Sequence, residues 1–300
     1  MDHMMLARHY MFQYAKSPKV ITVASLSALV TCAFALTMTL GYMPNTRDTN
    51  GAARVTRLSG GSVGWTDLGD KGRNQSKTSG STVSVSPTSN LSANTVVIAA
   101  CVSKPVSDTN GQTTDHGVTD SDGNGWTRLR EHTRVEGLGE VTGSLWVTQL
   151  GYELSTSDSV TLTVANTVEA KAIGLHAFSL PTGYGWNQAG GNSADGDSNS
   201  ASVMLSNLAN AEHLWIGMTC IGYTIASSGT DPDYDIWGVV NTTGDPLSSN
   251  VIGGPADRVY TGTSDTFSED YTDACAWVAL LVALDEVSGA LPNRARKRSR

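Results

Sequence analysis

The chain has 300 residues, of which 39% are hydrophobic and only 16% charged, with 31 glycines. So low a charged share excludes a coiled coil or long-helix protein, the glycines are too few for collagen, and seven Trp, nine Tyr and four Phe supply enough anchors to exclude disorder of the whole chain. The net charge of −8 is uneven: residues 1–43 carry +2, residues 287–300 carry +5, and twelve cations against 27 acids leave −15 on residues 44–286. A body this acidic offers no clustered Lys and Arg for phosphate, so no specific nucleic-acid readout is expected from it.

The first landmark is the uncharged stretch 20–43. As a helix it is long enough to cross a bilayer core of ~30 Å. Lys16 and Lys19 precede it and Arg47 is the next charge, which would leave the N-terminus inside and the body outside. Ser27, Thr31, Ala35 and Thr39 recur every fourth residue, and Ala24, Ala28 and Cys32 form a neighbouring stripe. Such small-residue seams let helices approach closely, so self-association is expected there. Three readings stay open: a signal anchor in a membrane, a signal peptide cleaved near Ala33-Phe34-Ala35, and an arm buried in an assembly.

Residues 44–81 read as a polar, Gly-rich connector. Gly60-Gly61-Ser62-Val63-Gly64 matches the G-x-S-x-G pattern of a hydrolase nucleophile elbow. That elbow needs a strand before it and a helix after it, and Trp65-Thr66-Asp67 starts no helix. A Gly-rich loop is the expectation.

From 82 to 286 apolar runs of strand length alternate with turn clusters. Residues 95–102 (TVVIAACV) form a continuous apolar run, suited to the centre of a sandwich. In 159–164 (SVTLTV) the residues Val160, Leu162 and Val164 share one face, which is a half-buried strand. Further runs lie at 144–150, 170–180, 202–205, 213–223, 234–240, 258–261 and 274–284, with 181–199 read as a loop. Ten or so strands without helical periodicity predict an all-β protein: a two-sheet antiparallel β-sandwich, jelly-roll-like, with an N-terminal hydrophobic helical segment. Ser89-Asn90-Leu91 leads to a strand ending at Cys101, and Ser206-Asn207-Leu208 to one ending at Cys220. This echo fits two related halves or two edges of one sandwich. One domain over 82–286 is favoured, since the first half offers too few strands to close alone. Residues 287–300 form a basic tail.

Candidate chemistry is sparse. No cysteine spacing fits zinc, and Cys101, Cys220 and Cys275 sit in apolar strands, with one disulfide among them left open. Asp120-Ser121-Asp122-Gly123-Asn124-Gly125 with Glu131 satisfies the EF-hand loop pattern, which makes Asp120, Asp122, Asn124 and Glu131 candidate calcium ligands. The flanks are not helical, so a β-turn leading into a strand with a buried Trp126 is the competing reading. The acidic runs 195–199 and 231–235 read as solvated loops. The six histidines form no metal spacing, and no Ser/His/Asp set assembles from the sequence. No catalytic residues are assigned, and no enzyme is expected. Tyr184 and Trp186, in a Gly-rich stretch, are the best candidates for an exposed pair that contacts a glycan or a partner chain. Arg294, Arg296, Lys297, Arg298 and Arg300 form a cationic arm that suits an acidic neighbour such as another copy of the body.

The order VTDSDGNGWTR (118–128), SLWV (144–147), SVTLTV (159–164) and the strand at 170–178 resembles a loose class of β-sandwich proteins from tailed-phage and bacterial surface settings. The likeness covers about residues 82–180. It implies a virion component (capsid decoration, fibre or tail part) or a surface adhesin, with no catalytic residues to carry over. The expectation is therefore a non-enzymatic structural protein of a viral particle. It would assemble with copies of itself and other particle proteins through residues 20–43 and 293–300. The alternative is a membrane-anchored, glycan-binding adhesin at the cell surface.

Overall fold

A computed structural model describes residues 64–104, 115–135, 140–168, 170–222, 227–243 and 250–288. The hydrophobic segment with Ser27, Thr31, Ala35 and Thr39, and the tail with Arg294, Arg296, Lys297, Arg298 and Arg300, lie outside the described residues. Within them every element is a strand, and every sheet is antiparallel. The β-sandwich character expected from the sequence holds.

The first eight strands are β1 (Thr66–Ser76), β2 (Gly80–Val85), β3 (Val96–Ser103), β4 (His116–Asp120), β5 (Thr127–Arg134), β6 (Val141–Gln149), β7 (Val160–Val168) and β8 (Lys171–Ser179). They form a five-stranded sheet, β1-β8-β3-β6-β5, and a three-stranded sheet, β2-β7-β4. First pairs with last, second with seventh and third with sixth, the nested pairing of a long hairpin rolled on itself. This is a jelly roll, with β5 placed beside β6.

The remaining strands are β9 (Tyr184–Leu205), β10 (Ala211–Ile221), β11 (Ser227–Thr230), β12 (Asp235–Ile236), β13 (Val240–Asn241), β14 (Ile252–Gly262) and β15 (Asp265–Ser288). The five-strand order recurs as β9-β15-β10-β14-β12. Cys275–Ser288 of β15 pairs with the first part of β9 and with β10, while Asp265–Tyr271 pairs with Ser200–Leu205 of β9 and with β11. The register breaks between Asp270 and Cys275. The second half is therefore a second roll made of one seven-stranded sheet, whose long strands β9 and β15 run through both of its layers.

Three apolar cores explain why the central strands are apolar throughout. In β3, Val97, Ala99 and Cys101 face the interior of the first roll, while Val96, Ile98, Ala100 and Val102 face the second roll. Leu214, Ile216, Met218 and Cys220 of β10 and Val278, Leu280, Val282 and Leu284 of β15 meet them across the gap. The opposite face of β15, with Ala279, Leu281 and Ala283, lines the second roll's own core together with Trp215 and Phe267. Each full burial of a Val, Leu or Ile stabilises by about 1.5–3 kcal/mol. Doubly buried strands thus contribute from both faces.

The structure corrects three expectations. The sandwich expected to have two sheets has three, arranged as two rolls. The stretch read as a connector contains β1, an edge strand with register shifts at Leu68 and Lys71 and a glycine, Gly72, at φ +125°. Its polar, bulged sequence hides its period of two. The stretch 181–199, read as a loop, is mostly the first part of β9. Gly183 turns the chain ahead of the strand at φ +86°, while Gly196 within the strand serves close approach. A Cβ on Gly196 would stand 2.7 Å from the Trp277 ring. Cys101, Cys220 and Cys275 are all free, buried thiols.

Candidate functional site

The candidate calcium residues form a turn, and their oxygens face hydrogen-bond donors. Asp120, the last residue of β4, accepts from the backbone N–H groups of Asp122 and Asn124 through one oxygen, both at 3.0 Å. Its other oxygen accepts from Trp126 Nε1 at 2.8 Å. The Asn124 side-chain carbonyl accepts from the N–H groups of Gly151 and Tyr152. Glu131 points elsewhere: its buried carboxylate accepts from the N–H groups of Asp115 and His116 at 3.0 and 3.3 Å, with Arg128 at 3.6 Å. Among the described residues no three His, Cys, Asp or Glu side chains stand together as a metal-binding group. The arrangement is an Asx turn that seats Trp126 against the first roll's core.

Tyr184 and Trp186 lie on β9, not on a loop. Trp186 packs against the core between the rolls, and the Tyr184 backbone carbonyl accepts from Gln149 Nε2. The expected exposed aromatic pair is a strand start that joins the two rolls.

The interior of the first roll has a polar end. His116 is buried between two serines, Ser103 Oγ at 2.8 Å from Nε2 and Ser144 Oγ at 2.6 Å from Nδ1. Trp146 Nε1 donates to the same Ser144 hydroxyl. Thr133 and Thr142 pair their hydroxyls, and Thr142 donates to Asp115. Burial, aided by the Arg128 charge, pushes the His116 imidazole down to about 3, so this ring is neutral at pH 7. Burial raises the carboxyls of Asp115 and Glu131 above their usual range. Lys171, fully buried on β8, donates to the carbonyls of Thr78 and Val168, and burial lowers its ammonium. These groups stitch together strands and corners inside a closed roll.

A second cluster was not legible in the sequence. On β5, Arg130, His132 and Arg134 point at Ser193, Asp195 and Asp197 of β9. His132 Nε2 lies 2.7 Å from Asp195 Oδ2 and its Nδ1 lies 3.3 Å from Ser193 Oγ. This is the order of a Ser–His–Asp relay. The Ser193 oxygen, however, accepts from both Arg130 Nε and Nη2, at 3.1 and 2.9 Å. Attack on a carbonyl carbon needs that lone-pair density. The six residues instead make a ladder, alternate positions of one strand meeting alternate positions of another, that clamps the rolls along one edge. Burial alone would raise the Asp195 carboxyl, but His132 and Arg134 outweigh it and hold it below the usual range. The period-two spacing of Arg130, His132 and Arg134 was the available signal. Its partner spacing lies in a stretch whose Gly, Asn, Asp and Ser content has the composition of a loop.

At the opposite edge β1 plays the corresponding part. Arg73 donates to the carbonyls of Trp237 and Val239, and Gln75 donates to Thr243. His176 stacks on Trp237 with ring centroids 4.3 Å apart and meets Asp67 at 2.6 Å. No protein-family model matches the chain, and no curated protein matches it.

Proposed function

We propose that the chain is a non-enzymatic structural protein of a viral particle, a capsid-decoration, fibre or tail component held in place by its terminal segments. The observation that carries this reading is the way the described side chains are spent. Apolar residues fill three cores, and the clustered ionisable groups clamp strand to strand within and between two jelly rolls. Sites are what distinguish an enzyme on a shared fold, and a rigid sandwich with a hydrophobic leader and a cationic tail suits assembly instead. The tail's five cations complement the −15 of residues 44–286 on a neighbouring copy.

The test is incorporation. Deleting residues 1–43, or 293–300, is expected to deplete the protein from purified particles while the far-UV spectrum stays that of a folded β protein. Normal incorporation of both deletions would defeat the reading. The alternative, a membrane-anchored adhesin, rests on the uncharged run 20–43 behind Lys16 and Lys19. Fractionation into bilayers in the absence of any particle would replace the first reading with it.

A further inference from the structure

The two rolls repeat each other beyond their strand order. Gly64-Trp65-Thr66-Asp67-Leu68-Gly69 opens the first roll, and Gly185-Trp186-Asn187-Gln188-Ala189-Gly190 opens the second. In both, the register slips at the fourth residue after that glycine: β1 skips Leu68 between partners Phe178 and Ala177, and β9 skips Ala189 between partners Leu284 and Ala283. A bulge is a specific local device, and its recurrence at the same rung is not expected of unrelated sheets. Downstream, Thr119-Asp120-Ser121-Asp122-Gly123-Asn124-Gly125-Trp126 is answered by Thr230-Asp231-Pro232-Asp233-Tyr234-Asp235-Ile236-Trp237. Each begins with the same Asx turn, the N–H of Asp122 or Asp233 bonding the carboxylate two residues earlier at 3.0 Å.

The contact between the rolls has the same symmetry. Trp65 and Trp186, the equivalent residues, both enter the core shared by the rolls. The fifth strand of the first roll, β5, clamps the first strand of the second, β9, while β1 of the first roll reaches the segment around β12 and β13 of the second. Each patch therefore meets its counterpart's partner in both directions. That reciprocity defines an isologous, two-fold interface.

We propose that the chain is a covalent dimer of one jelly-roll unit, and that the outer face of the five-stranded sheet is a self-docking surface whose occupant is a second copy of the same roll, supplied here in tandem. The link between the copies is short: β8 ends at Ser179 and β9 begins at Tyr184. Thr182 and Gly183 are exposed, and a Cβ on Gly183 would meet no atom. The link tethers the rolls and is not required to hold them.

A protease site inserted between Thr182 and Gly183 of the full chain tests this. The uncut insertion protein should match the parent in circular dichroism. After cutting, the halves should co-elute as a 1:1 complex of unchanged size, separate only in denaturant, and re-form that complex on its removal. Separation or aggregation of the halves under native conditions would overturn the self-docking surface. A crystal structure of the cut complex provides the second arm. The first roll should superpose on the second by a rotation near 180°, with the Trp65 and Trp186 rings coinciding. A relation far from two-fold would overturn the dimer, whatever the chain's role in a particle.

Discussion

Gly143, on β6, sits where the facing sheets of the two rolls leave no room for a side chain, and it offers a direct measure of their packing. A Cβ added there would overlap Cys220 Sγ and stand 3.3 Å from Cys220 Cβ, with Leu280 at 3.7 Å. Cys220 and Leu280 are fully buried, on β10 and β15 of the other roll. The sulfur cannot escape to solvent, so Gly143→Ala must push the sheets apart or force a poor rotamer, at about 1–3 kcal/mol. Cys220→Ala alone should cost about 1 kcal/mol, the usual cost of a point change. Combined, Cys220→Ala removes the overlapping sulfur and leaves the tight contact at Cβ, so the double variant should lose clearly less than the sum of the two single changes. The coupling is then about 1 kcal/mol or more, well above the few tenths expected of independent sites. Urea unfolding followed by tryptophan fluorescence gives all four stabilities. Strict additivity would refute face-to-face stacking of the two sheets at this point.

Other consequences can be read from the same rolls. His116 is held at about 3 when folded, below the 6.5 of a free imidazole, so its stabilisation is complete above pH 6.5 and is lost as pH falls from there towards 3. The slope is about 1.4 kcal/mol per pH unit once the unfolded ring is protonated. The raised carboxyls of Asp115 and Glu131 act in the opposite sense, so the test is a comparison. Between pH 7 and pH 5 the parent should lose about 2 kcal/mol more than His116→Gln, measured by urea titration at both pH values. Asp120→Ala removes the acceptor for two backbone N–H groups and the Trp126 indole, and should cost about 1–3 kcal/mol, equally with calcium or with chelator in a thermal melt. A loss seen only with calcium present would restore the ion site. Trp186→Ala empties part of the shared core and should cost about 3 kcal/mol in chemical denaturation. Unchanged stability with lost glycan binding would return Trp186 to the surface role expected from sequence.

What could be read from the sequence follows from burial. Residues 95–102, 213–223 and 274–284 announce strands because both of their faces are covered. β1 and the start of β9 did not, because an edge strand bonded on one side carries polar residues, bulges and glycines without losing its place, and pairing overrides propensity there. The Ser-Asn-Leu echo was half right. Leu91 and Leu208 pack on the cores of their own rolls, but Cys101 faces the interior of the first roll and Cys220 faces the gap between them. The cysteines lie out of phase between the rolls, whereas Gly64-Trp65 and Gly185-Trp186 lie in phase. The Ser193–His132–Asp195 cluster joins residues that only the stacking of two sheets brings together.

The rolls differ at their corners. In the first, one strand ends at Ser76 and the next begins at Gly80, and again one ends at Val168 and the next begins at Lys171, whereas β9 runs on from Tyr184 to Leu205 and β15 from Asp265 to Ser288, past the register break at Asp270–Cys275. Layers joined by continuous strands are held together along those strands, while separate short strands can be unpicked a short sheet at a time. Under tension or partial denaturation the N-terminal roll should therefore peel first, with the three-stranded sheet as its loose flap. The C-terminal roll would remain as the mechanical anchor.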